Sequence, residues 1–386
     1  MSILKNEKKK IVVILSFIIA VMLCMSACGS KTENEQIPEF EGLKFESKDE
    51  LKYADQFEIF RYEEGYAYIR IVESDDILII PENGKVPENL DEDIVVVHKP
   101  LTNAYLVATG TMALFDAIDG LDSIAFTGTK ADGWYIENAV KEMEAGNIAY
   151  AGKYSTPDYE MLVNKGCSLA IENTMIYHSP EVIEKLEELG IPVMVEKSSY
   201  EKEPLGRTEW IKVFGAMTGK DEEAGTAFNE QCKIVESLNN IEDTGKTVAY
   251  FYVNSNGTVV TRKSEDYISK MIEIAGAHYV YEGLENDNNL STITMNLEEF
   301  YATAKDVDVI IYNSSIRSPL GSVKELLDLS PVFADFKAVK EGNVWCTGKN
   351  MFQESDKLGA VIEEMSTIVT SKPEENPELS YFFRLK

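Results

Sequence analysis

The chain has 386 residues, with 37 Lys and Arg against 66 Asp and Glu and a net charge of −29. So acidic a surface repels polyanions, which excludes nucleic acid as a partner and favours solubility. The length and the 44% apolar content are enough to bury the cores of two lobes.

At the N-terminus Lys5, Lys8, Lys9 and Lys10 precede an apolar run at residues 11–25, which ends in Ser26, Ala27 and Cys28. The run is short for a bilayer span, and small residues precede the cysteine, so residues 1–27 are predicted to be a cleaved signal peptide. The ending resembles the lipobox of bacterial lipoproteins, with Met25 where Leu is commoner. That resemblance implies a lipid on Cys28 and a chain anchored at the extracytoplasmic face of the cell membrane. The segment removed carries four Lys and one Glu, so the remainder is more acidic still. Residues 28–40 are polar and aperiodic, as a lipidated tether would be. Cys167, Cys232 and Cys346 remain, an odd number at wide spacing, and are expected to be buried free thiols.

Alternating apolar residues at 57–62 and 66–71, broken by Glu63, Glu64 and Gly65, predict a β-hairpin, with a third strand at 77–80. Strands and helices then alternate. Strands are predicted at 94–97, 124–126, 169–171 and 193–195, and helices at 112–118, 136–144 and 180–189. A long helix follows at 220–240, with Asp221, Glu222 and Glu223 at its positive end. A second alternating run has strands at 247–252, 307–312 and 344–346 and helices at 266–275, 296–304 and 356–370. The fold class is therefore α/β: two doubly wound α/β lobes joined by a single long linker helix. The boundaries are 41–219 for the N-terminal lobe, 220–242 for the linker and 243–386 for the C-terminal lobe.

The three histidines, His98, His178 and His278, have no ligand-spaced partner. There is no phosphate-binding glycine loop and no nucleophile elbow. No metal site, no cofactor and no catalytic residue is expected.

Residues 204–220, with Pro204, Gly206, Arg207, Glu209, Trp210 and Gly219, resemble the stretch before the linker helix in substrate-binding proteins of bacterial ABC importers for iron complexes and vitamin B12, the class III periplasmic binding proteins. Residues 154–160, 190–193, 267–276 and 307–311 are similar in order and spacing, so the resemblance runs from about 103 to 370. It does not extend to the hairpin at 57–71. It implies a ligand held between two lobes with little hinge closure, no catalysis, and ABC permease and ATPase subunits as partners of a monomer. It also implies one exposed acidic residue on each lobe for permease docking. Glu160 matches the first position, and Glu298 or Glu299 the second. Asn296 reads as an N-cap with Glu299 at N3, which leaves Glu298 freer to face outward.

The ligand is expected to be an iron complex of ferric-siderophore type, with a corrinoid as the alternative. A lipid-anchored enzyme and a surface adhesion module are rival classes. Expected ligand contacts are Trp134 and Tyr135, aromatics in a loop after Gly133, and Arg262 and Lys263, cations beyond the Asn256-Gly257 turn. Tyr252, Asn254 and Asn313 are placed at strand ends facing the crevice, and Met351 and Phe352 follow the strand at 344–346. Arg207 and Trp210 are expected to position the linker.

Overall fold

The computed structural model describes residues 37–238, 242–283, 291–372 and 375–386. The signal segment, Cys28 and most of the tether lie outside the described residues.

The alternation at 57–71 produces the hairpin β2 (Phe57–Tyr62) and β3 (Tyr66–Ile71), which pair antiparallel with Tyr62 opposite Tyr66. Glu64 and Gly65, at φ 62° and 84°, make its tight turn. β1 (Phe45–Lys48), β4 (Ile77–Ile80) and β5 (Val95–His98) complete a five-stranded sheet in the order β1-β2-β3-β4-β5, with β5 parallel to β4. Alternate residues serve two cores. Phe57, Ile59, Ile69 and Ile77 face the main body, and Phe60, Tyr62, Tyr68 and Leu78 face an outer cluster that includes Phe40, Phe45 and Ile94. The strand predicted at 94–97 was expected to open the α/β alternation. It instead joins this sheet, because its hydrogen-bonding edge is taken by β4. The span 41–219 therefore contains two five-stranded sheets and a two-stranded ribbon.

The second sheet begins at β6 (Ala104–Leu106), a strand the sequence reading did not find. Its order is β12-β11-β6-β7-β8, all parallel. Along the chain β6 leads to α1 (Thr109–Ala117), β7 (Ile124–Thr127), α2 (Glu137–Ala145) and β8 (Ala149–Tyr150). A two-stranded ribbon, β9 (Gly152–Lys153) and β10 (Thr156–Pro157), precedes α3 (Tyr159–Asn164), β11 (Leu169–Asn173), α4 (Pro180–Glu188) and β12 (Val193–Glu196).

Two helices, α5 (Pro204–Glu209) and α6 (Ile211–Thr218), then lead to α7 (Asp221–Leu238). Gly219, at φ 78°, ends α6 in the left-handed conformation that a Cβ disfavours. α7 has 18 residues and spans about 27 Å. Its buried stripe of Ala224, Phe228, Cys232, Val235 and Leu238 packs against α6 and the last helix of the chain.

The third sheet holds β13 (Thr247–Val253), β14 (Val259–Arg262), β15 (His278–Tyr279), β16 (Thr292–Met295), β17 (Val309–Tyr312), β18 (Val344–Thr347) and β19 (Phe382–Arg384). Its order is β16-β14-β13-β17-β18-β19, with β15 also on β13. The centre β13-β17-β18 is parallel, and β14, β16 and β19 are antiparallel. Helices α8 (Tyr267–Ile274), α9 (Leu297–Ala304), α10 (Val323–Leu329), α11 (Lys337–Lys340) and α12 (Leu358–Thr370) cover it.

Two buried carboxylates fix the N-terminal sheet to this body. Glu209, at the end of α5, accepts the amides of Lys52, Tyr53 and Ala54 at 2.8–3.0 Å and the Lys212 ammonium at 2.7 Å. Glu201 accepts the amides of Asp55 and Gln56 at 2.9 and 3.1 Å and the Trp210 indole N–H at 2.9 Å. Five consecutive amides are thus satisfied from the segment before α7. The Trp210 ring also meets Phe57 of β2 at 4.9 Å.

Candidate functional site

Parallel strands present the carboxyl ends of a sheet as one edge, and in open α/β sheets ligands sit outside that edge. In the N-terminal lobe the turns after β6, β7, β11 and β12 form it. In the C-terminal lobe it is formed by the turns after β13, β17 and β18. The turn after β7 meets the turn after β18. Gln353, in the turn after β18, accepts the Tyr135 amide at 2.8 Å and donates to the Gly133 carbonyl at 2.8 Å. The segment after β12 also meets α8: Lys202 pairs with Glu265 at 2.7 Å, Lys270 with Glu203, and the Arg207 guanidinium lies 3.6 Å from the centre of the Tyr267 ring. Beside the Gln353 bridge a cavity of about 450 Å³ is lined by Asp116, Tyr135, Asn138, Glu354, Asp356 and Lys357 from both lobes.

The sequence candidates divide sharply within this frame. Tyr135 is 45% exposed, whereas Trp134 is only 6% exposed and packs into the lobe core, so its expected role as a ligand platform is corrected. Met351 is buried and Phe352 half-buried, both against the main core. Asn313 is buried too, and its Oδ1 accepts the Ser315 amide at 2.8 Å. Tyr252 is half-buried against the core, and the Asn254 amide closes the turn on the Thr258 carbonyl at 2.8 Å. Arg262 was placed at a turn open to the crevice. Register overturns that placement: Val259 pairs with Val253 at the carboxyl edge, so β14 runs away from the edge and Arg262 lies past Thr261, the partner of Phe251. Its guanidinium is held at 3.5 Å from both Asp266 and Ser291. Lys263 follows it, half-buried, with its amide on the Ser291 carbonyl at 3.0 Å.

Other residues occupy the edge. Met175 and Tyr177 stand exposed after β11, Tyr200 after β12, and Ile316 after β17, where it is 67% exposed. Arg317 is half-buried beside Ile316 and makes no hydrogen bond or ion pair among the described residues. Lys197, by contrast, is only 2% exposed. Its Nζ donates to the carbonyls of Val72 and Glu73, both at 2.6 Å, and lies 5.8 Å from the ring centres of Tyr177 and Tyr200. The signal for these residues was present in the chain: large apolar side chains immediately after a strand, outside the strand's own alternation.

Residues 107–351 match the family model described as periplasmic binding protein. The chain belongs to that family. Among relatives, the uncharacterized lipoprotein MJ0878 of Methanocaldococcus jannaschii is 28% identical over 306 residues, covering 77% of this chain and 72% of that protein. A second uncharacterized lipoprotein of that organism, MJ0872, is 24% identical over 97% of this chain and 98% of its own. Of solved structures, the periplasmic heme binding protein HutB of Vibrio cholerae superposes with a TM-score of 0.56 at 14% identity, covering 70% of this chain and 100% of its own. The petrobactin-binding protein YclQ of Bacillus subtilis does so at 0.55 and 13%, covering 71% and 94%. At such identities the likeness is one of fold. The family supplies the substrate-binding component that works with an ABC permease and ATPase.

In this binding protein the family match starts at residue 107, just beyond β6, so the five-stranded sheet of residues 45–98 lies outside it. The acidic residues expected to meet a permease are all exposed. Glu160 stands in the first turn of α3, where Asp158 caps the helix by accepting the Met161 amide at 3.0 Å. Asn296 and Glu299 form a reciprocal capping box at 2.9 and 3.3 Å, which leaves Glu298 without a partner among the described residues. No described helix is long and apolar enough to cross a membrane.

Burial displaces the acidities of several carboxyls, Glu196 among them. Glu172, at 0% exposure on β11, has no partner for either oxygen among the described residues, and burial pushes it up to about 8. Burial pushes Asp356 up to about 7 despite the neighbouring Lys357. Glu201 also rises to about 7, because burial outweighs the hydrogen bonds it accepts.

Proposed function

We propose that this binding protein, anchored through a lipid on Cys28, captures a metal chelate between its lobes and delivers it to an ABC permease that docks on Glu160 and Glu298. The observation that carries the ligand class is the edge itself. Tyr135, Met175, Tyr177, Tyr200 and Ile316 expose apolar or aromatic surface there, while the buried Lys197 ammonium donates inward to two backbone carbonyls. A broad apolar face on the ligand fits such a lip. A chain of net charge −29 repels polyanions. Neutral or cationic chelates, of ferric hydroxamate or corrinoid chemistry, therefore fit better than an anionic ferric catecholate. Solved neighbours described as heme-binding and petrobactin-binding span several ligand classes, so the choice rests on the chemistry of the edge. Arg317 favours a second reading, a ligand carrying one peripheral carboxylate.

Intrinsic fluorescence titrations with ferrioxamine B, cyanocobalamin and a ferric tris-catecholate, at physiological ionic strength, test the proposal. One of the first two is expected to bind at least about tenfold more tightly than the tris-catecholate, a difference of about 1.4 kcal/mol. The reverse order sinks this ligand class. The anchor is tested separately, since Cys28→Ala should abolish incorporation of labelled lipid.

A further inference from the structure

The turn between β3 and β4, residues 72–76, belongs to the sheet outside the family match, yet it reaches the carboxyl edge of the N-terminal lobe. Its Val72 and Glu73 carbonyls take two of the three hydrogen-bond donors of Lys197, the first residue after β12. Ser74 lies beside Tyr177, in the turn after β11. Asp75 is near enough to influence Tyr177, and Glu73 to influence Lys197. Val72 is 42% exposed, and Glu73 and Asp75 are exposed as well. The buried ammonium therefore joins the turn to the two aromatic rings, and the Glu73 and Asp75 carboxylates stand exposed beside it.

We infer that this turn is a third wall of the ligand crevice. Val72, Tyr177 and Tyr200 form an apolar shelf over the Lys197 ammonium, and Glu73 and Asp75 form an acidic lip that selects neutral or cationic chelates over anionic ones. The inference rests on the crevice reading proposed above. It assigns ligand selection to a segment that the family match does not include.

The alternative role for the turn is a brace that holds the sheet and never meets ligand. Charge reversal separates the two. Asp75 is exposed and, besides Tyr177, faces Asp76, Asp93 and Glu187, so Asp75→Lys relieves like-charge crowding and is expected to keep the melting temperature. Glu73→Gln is combined with it, since glutamine keeps the backbone that holds Lys197. At about 8 Å and physiological salt, a change of three charges shifts binding of a singly charged ligand by about three- to tenfold.

The double variant is expected to weaken ferrioxamine B by that factor, to tighten the ferric tris-catecholate by at least as much, and to leave neutral cyanocobalamin unchanged. Tyr177→Ala, measured in parallel, should weaken whichever probes the wild type binds by about tenfold, through lost stacking. Loss on Tyr177→Ala with no charge-dependent shift in the double variant overturns the wall and leaves the crevice reading standing. Wild-type chain that binds none of the three probes overturns both.

Discussion

Glu209→Ala should loosen the N-terminal sheet without touching a single apolar contact of that sheet. The wild-type carboxylate is fully buried and receives three consecutive backbone amides, those of Lys52, Tyr53 and Ala54, besides the Lys212 ammonium. A hydrogen bond to a charged group is worth about 1.5–3 kcal/mol, and such bonds are not additive when they share one acceptor. Residues 52–54 are half-buried or exposed, so water recovers part of the loss. The net cost is then about 4 kcal/mol. At about 2 °C per kcal/mol for a chain of this size, the melting temperature should fall by about 8 °C. Glu209→Gln keeps an acceptor oxygen but loses the charge, and should fall between. The freed segment contains Lys52, so tryptic cleavage there should accelerate in Glu209→Ala well below its melting transition. A loss of less than about 1 kcal/mol, with trypsin resistance unchanged, would refute the view that this carboxylate holds the sheet.

Three further outcomes are expected. Glu172, at about 4.5 when unfolded and about 8 in the fold, keeps its proton longer in the native chain. Its contribution to stability is complete below about pH 4.5 and is lost as pH rises toward 8, by about 1.4 kcal/mol per unit. Glu172→Gln should flatten the melting temperature across that window, and an unchanged pH slope would contradict the assignment. Replacing Glu160 and Glu298 together by Ala should leave chelate affinity intact while uptake in cells collapses. Each single change should be mild, because an exposed pair contributes about 0.2–1 kcal/mol. Arg262→Ala should lower the melting temperature, since it removes the partner of buried Asp266, and should leave affinity for all three probe chelates within about twofold; a loss of tenfold or more would return Arg262 to the ligand site.

Period and capping made much of the fold legible. The hairpin at 57–71 follows from strict alternation, α7 from its acidic start and a long run with no break but Gly225, and the capping box at 296–299 from an Asn three residues before a Glu. β6 escaped because three residues are too few to show a period. β5 was legible as a strand but not as a member of its sheet, because membership is decided by which edge it meets in three dimensions. The crevice was harder to read for the same reason. Trp134 and Tyr135 are neighbours of similar chemistry, and the Tyr135 amide and the Gly133 carbonyl are pinned by Gln353, more than two hundred residues away. Local sequence carries no trace of that partner. Arg262 failed through direction: a turn at Asn256-Gly257 is visible in the chain, but not that the strand after it leads away from the edge.

The N-terminal sheet and the family segment are joined through buried carboxyls. Residues 204–218 form two helices that are almost wholly buried, and a carboxylate there at 0% exposure needs donors to remain stable. Its donors come from residues 52–54, outside the match. Glu201 repeats the pattern with residues 55 and 56. Removing the sheet would leave two carboxylates facing the gap where their amides had been, at a cost an apolar residue in either position would not incur. The carboxyl groups at 201 and 209 thus find their partners in the sheet, apart from Trp210 and Lys212. Lys197 extends the dependence to the crevice edge, since its ammonium is satisfied by carbonyls of the same sheet. A chain cut to begin after residue 98 should therefore lose stability at the segment before α7 and expose a buried cation at the carboxyl edge in the same step. The affinity of that shortened chain for an anionic chelate should rise relative to a neutral one, and a truncation that leaves the order of ligand preference unchanged would separate the sheet from ligand selection.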